Sequence, residues 1–84
     1  MAGNKTRDGI KLTKIVSAVS DITGITIRDG TNHQYIINYA GRRPCPLDTS
    51  TDARRMIVPW LYAVTGYDKS KIYENLRAGR WYRN

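Results

Sequence analysis

The apolar residues of this 84-residue chain first change period at Gly24, and that switch limits the fold more than any other feature of the sequence. Leu12, Ile15, Val16 and Val19 recur at i, i+3, i+4 and i+7, which lines one helical face and turns Lys11, Lys14 and Ser17 outward. Gly24 is the expected helix stop. Ile25 to Arg28 then alternate apolar and polar, as a half-buried strand does, and Asp29-Gly30 supplies the chemistry of a turn. A chain that carries both periods belongs to the α+β class.

The same logic extends through the next twenty residues. His33 to Tyr39 reads as a second strand, with His33, Tyr35, Ile37 and Tyr39 on one face and Gln34, Ile36 and Asn38 on the other. Ala40-Gly41 turns it back. Arg42 to Leu47 is the expected third strand. Pro44 and Pro46 lack the N–H that a central ladder needs, so this strand belongs at the sheet edge with both prolines facing away from the pair.

Beyond the meander the helical period returns. Asp48 to Asp52 is a run of cap-forming residues, followed by Ile57, Trp60, Leu61 and Val64 at helical spacing, with Gly66 as the stop. Pro59 either kinks this helix or opens it from the first turn. Ile72, Tyr73 and Leu76 are the apolar stripe of a third helix over 69–76, stopped by Gly79. The expected architecture is αβββα with a three-stranded antiparallel sheet and an additional C-terminal helix. It forms one domain over 1–84, with 1–9 a flexible basic arm and 80–84 a basic tail.

Charge narrows the function. Lys and Arg number 14 against seven acids, a net charge of +7 and a pI near 9.9, and nine of the 14 cations are Arg. Such a surface attracts polyanions, and the planar Arg fork suits phosphate and guanine. Cys45 has no cysteine partner, and one His with one Cys cannot build a zinc site, so no disulfide, metal or cofactor is expected. The apolar run Ile15 to Val19 is too short for a signal or membrane segment, which makes a cytoplasmic protein without membrane contact the expectation.

Gly30-Thr31-Asn32-His33-Gln34-Tyr35, followed by Gly41-Arg42-Arg43 and a proline-containing third strand, resembles the HicA-type toxins over about two thirds of the chain. These are small mRNA interferases with a double-stranded-RNA-binding-domain-like αβββα fold. That family places a glycine, a Ser and a catalytic His in direct succession at the start of the second strand, with an aromatic three places after the His. Matching Gly30 and Tyr35 puts Thr31 at the Ser position and Asn32 at the catalytic position, with His33 next in the chain. The resemblance implies an RNA-binding surface on which Lys11, Lys14, Arg28, Arg42, Arg43, Arg54 and Arg55 meet phosphates beside Asn32, and an antitoxin-like protein partner. If RNA is cleaved, His33 is the general base.

The C-terminal third resembles something else. Residues 52–78, and Ala63 to Leu76 in particular, look like a helix-turn-helix with Gly66 in the turn. On that reading Lys69, Ser70, Lys71 and Asn75 reach base edges of double-stranded DNA, Arg77 and Arg80 hold phosphate, and the protein is a homodimer. A protein-interaction module, pairing through the edge strand 42–47, is a third reading. Trp60 is expected in the core, Trp81 as a lid over the helices, and Cys45 as a small packing residue. Arg54-Arg55 stand near a helix start, where the macrodipole disfavours cations.

Overall fold

A computed structural model describes residues 5–30 and 34–81 of the chain. Its elements are α1 (Leu12–Ser20), β1 (Ile25–Asp29), β2 (Tyr35–Tyr39), β3 (Cys45–Leu47), a π-helical turn (Ala53–Ile57), α2 (Val58–Thr65) and α3 (Lys69–Ala78). The strands form one antiparallel sheet in the order β1-β2-β3. This is the αβββα arrangement with an additional C-terminal helix.

Register decides which side of the sheet is covered. Ile27, Ile37 and Cys45 stand in line across the three strands, and Tyr35 stands opposite Leu47. Ile37, Cys45 and Leu47 are buried, whereas Ile36 and Pro46, one residue over and on the opposite face, are only half-buried. The period-2 alternation therefore points one face at the helices. Leu12, Ile15 and Val19 of α1, Leu61 of α2 and Ile72 and Leu76 of α3 complete a single core against it.

β3 is an edge strand, and only three residues long rather than the expected six. Antiparallel neighbours alternate between positions that face the partner strand and positions that face outward. With Cys45 and Leu47 facing β2, Pro46 faces out, where its missing N–H leaves no gap in the ladder. The outward side is closed by Thr51, whose Oγ1 lies 3.5 Å from the Pro46 carbonyl and accepts from the Asp48 N–H at 3.0 Å.

Three sequence expectations are corrected and one open choice is decided. Gly24 does not cap α1, which ends at Ser20 with Asp21 as its right-handed cap; instead Gly24, at φ +91°, swings the chain into β1 under the Tyr39 ring. Of the two readings of Pro59, the structure has the second, a helix that restarts with Pro59 in its first turn. The Ala53–Ile57 turn enters first, capped by Asp52, whose side chain accepts from the Arg55 N–H at 3.1 Å, and Pro59 then sits in the first turn of α2, where no N–H is needed. Trp60 is half-buried rather than core, because its Nε1 donates to the Arg43 carbonyl at 2.7 Å. Residues 5–9 of the expected flexible arm are docked, through bonds described below. Trp81 is the expected lid, buried with its ring 5.3 Å from that of Tyr67.

Candidate functional site

Thr6 and Asp8 build one wall of the site. Thr6 is buried, its N–H donates to the Ile10 carbonyl at 2.8 Å, and its Oγ1 accepts from the Ile10 N–H at 3.1 Å, which closes a tight loop over 6–10. Asp8 then binds across the molecule. Its Oδ1 accepts from Thr6 Oγ1 at 2.7 Å and from the Ala53 N–H at 2.9 Å, and its Oδ2 from the Arg54 N–H at 3.1 Å and from Tyr73 Oη at 3.2 Å. A carboxylate thus caps a helical turn 45 residues away, where free N–H groups favour negative charge. Burial alone pushes the Asp8 carboxyl up, but the bonds from Thr6, Ala53 and Arg54 outweigh it and hold it below its ordinary value. Tyr73 is pushed up by burial and by the charge and hydrogen bond of Asp8, against the opposing pull of Arg54 and Arg77.

Docking this segment lays Lys5 beside Lys11 in an isolated antiparallel bridge. Like charges directly opposite each other across such a bridge are destabilising. The chain nevertheless adds two more cations to the same place: Lys14, one turn into α1, and Arg77, from the last turn of α3. Lys5, Lys11, Lys14 and Arg77 line a cleft of about 210 Å³ whose remaining wall is Gly9 and Ile10. Gly79 makes the approach of α3 to α1 feasible, since it caps α3 at φ +75° and a Cβ there would lie 3.2 Å from Lys14 Cγ.

Comparison with protein families, curated proteins and solved structures gives no match. Function has to be read from the chemistry of the site itself.

Arg77 also lines the neighbouring cleft, of about 440 Å³, with Arg54, Lys69, Ser70, Tyr73 and Glu74 on a floor formed by Val58. Arg54 lies flat over Tyr73, its Cζ 4.5 Å from the ring centroid, a cation–π contact that fixes a long side chain in place. Lys69 stands 5.1 Å over the Tyr62 ring. Ser70 donates its hydroxyl to Asp68, a bond that, with the N–H groups of Lys71 and Ser70, holds the Asp68 carboxyl below its ordinary value. The two clefts together form a continuous cationic band across α1, α3 and the 53–57 turn.

Of the basic residues singled out from sequence, Lys11, Lys14, Arg54, Lys69 and Arg77 meet on this band. Arg28 lies elsewhere, in a cavity of about 480 Å³ with Val16, Ile25, Ile27 and Tyr35. Arg42 is turned toward α2 and donates from Nη2 to the Ala63 carbonyl at 3.2 Å, a cation at a helix C-terminus, and the Arg43 carbonyl holds Trp60. Arg55, Lys71 and Arg80 are exposed but line neither cleft. Asn32 and His33 lie outside the described residues.

Asn75 must be withdrawn as a reader of base edges. It is only 4% exposed and faces the core with Ile72 and Leu76, because i, i+3 and i+4 of α3 share one face. Its Nδ2 has no hydrogen-bond partner among the described residues. Lys5, Tyr73 and Asp8 are the site residues that sequence reasoning missed. No local pattern announces a cap formed 45 residues away, and only the Thr6-x-Asp8 pairing within the polar arm was there to be noticed.

Among the described residues no group of three or more His, Cys, Asp or Glu side chains is placed to hold a metal, and no helix is long and apolar enough to cross a membrane.

Proposed function

We propose that the protein binds nucleic acid, and RNA helices in preference to DNA, by seating phosphates on the cationic band of α1 and α3. The observation that carries this reading is Lys5 placed opposite Lys11 in a cleft that also takes Lys14 and Arg77, with no carboxylate among its described lining residues. A fold that concentrates like charge against its own stability gains from a polyanion that relieves the repulsion. Each neutralised phosphate releases counterions, which adds to the drive.

Two considerations favour RNA. The resemblance to HicA-type toxins rests on residues 30–43, and the αβββα order is the one that resemblance implies. In that class a duplex is recognised by shape, through phosphates and 2′-hydroxyls rather than base edges. The helix-turn-helix alternative loses one of its four readers with the burial of Asn75, and of the other three Lys69 and Ser70 line the larger cleft of the cationic band.

The test is a fluorescence-anisotropy titration of matched RNA and DNA duplexes at two salt concentrations, with wild type and with Lys11→Ala and Arg77→Ala. Tighter binding to RNA, a steep loss of affinity with salt, and a salt slope lowered by about one for each variant are expected. Preference for DNA would return the function to the helix-turn-helix reading. Absence of binding to either duplex would overturn nucleic-acid binding. A gel of the same samples reports whether strands are cut.

A further inference from the structure

The two clefts of the cationic band differ in kind. The larger has a mixed lining, with Tyr73 and Val58 beside its charges and Glu74 on its rim. The smaller has about half its volume, four cations and, among the described residues, no anion, with Gly9 and Ile10 as the rest of its lining. An internal phosphodiester brings one negative charge and must let the strand enter and leave. A phosphate monoester at a strand end brings about −1.5 to −2 charges and three terminal oxygens.

We infer that the cleft between Lys5, Lys11, Lys14 and Arg77 is a seat for the terminal phosphate monoester of a nucleic-acid strand. This rests on the nucleic-acid reading above and specifies which group occupies the most highly charged point of that surface. Four cations from three parts of the chain match a dianion better than a single diester charge. Charge-assisted bonds from Lys and Arg to phosphate oxygens are among the strongest that a protein forms. Arg77 is shared with the larger cleft, so the nucleotide that carries the phosphate is delivered toward Tyr73 and Arg54.

The experiment uses one RNA duplex with an internal fluorophore, prepared in three forms: 5′-phosphate, 3′-phosphate and hydroxyl at both ends. Wild-type protein is expected to bind one of the phosphorylated forms about tenfold more tightly than the hydroxyl form. In Arg77→Ala, and separately in Lys11→Ala, that gain should shrink to less than about threefold while binding to the hydroxyl form weakens less. Both side chains are exposed, so circular dichroism should show the fold intact. Which end confers the gain identifies the polarity of the bound strand, and a gain from either end supports the seat. Equal affinity for all three duplexes would overturn it and leave the backbone-binding function standing. No binding to any of them would overturn both.

Discussion

Asp8 and Tyr73, 65 residues apart in the chain, are joined by a hydrogen bond of 3.2 Å from the phenol to the carboxylate, and through it the N-terminal segment is fastened to α3. The same carboxylate accepts the Ala53 and Arg54 N–H groups, so one side chain ties together three parts of the molecule. Removing its charge leaves those donors poorly matched. Asp8→Asn is expected to lower stability by about 1–2 kcal/mol, measured by urea unfolding at neutral pH.

The sign of the pH dependence follows from the direction of the shift. Asp8 is held below its ordinary value in the folded protein, so its contribution is complete above about pH 4, the ordinary range for Asp, and is lost as pH falls through the lower folded value. The stability gap between wild type and Asp8→Asn should therefore be constant from pH 5 to pH 7 and close on further acidification, within about two pH units. A gap that grew on acidification would contradict the assignment.

Lys5 and Lys11 face each other without an intervening acid among the described residues that line their cleft. Lys11→Glu should thus raise the unfolding midpoint of the free protein at low salt, by a few tenths to about 1 kcal/mol in stability, since it replaces a repulsion with an attraction at a helix N-terminus. The same variant should bind RNA more weakly than Lys11→Ala. Opposite movements of stability and affinity would mark the cleft as built for a ligand.

Cys45 is buried, and burial pushes its thiol up to about 12. The unfolded thiol ionises near pH 8.5, so the folded state loses ground as pH climbs from there toward about 12. Wild type minus Cys45→Ala, compared across alkaline pH, should isolate this loss. Thiol reagents at pH 8 should label Cys45 only at the rate at which β3 opens, and immediate labelling would count against its burial.

Gly79 combines a positive φ with close contact to Lys14. Gly79→Ala is expected to cost about 1–2 kcal/mol, from the left-handed backbone and from displacement of the Lys14 side chain. Because Lys14 lines the smaller cleft, affinity for RNA should fall as well.

The elements were largely legible in the sequence because each is set by a local signal. The i, i+3, i+4, i+7 stripe of Leu12 to Val19 and the alternation in 25–28 needed no tertiary information, and the edge position of β3 followed from what Pro46 lacks. The errors lie where two signals compete or where distance intervenes. Gly24 looked like a helix stop and serves a strand start, because positive φ is equally useful at either boundary. Lys69, Lys71 and Asn75 were equivalent as letters, but the helical period turns Asn75 inward with Ile72 and Leu76. The cationic band was visible only as excess charge. Its location depends on Asp8 reaching residues 53, 54 and 73, a match of surfaces that no short window contains.

The outward side of β3 has a consequence for assembly. Pro44 and Pro46 carry no N–H, and the Asp48 N–H is already committed to Thr51. A neighbouring strand that approached this edge would find no donor along its whole length. The opposite edge, at β1, carries no such block in its sequence. Extension of the sheet by a further strand is accordingly disfavoured on the β3 side.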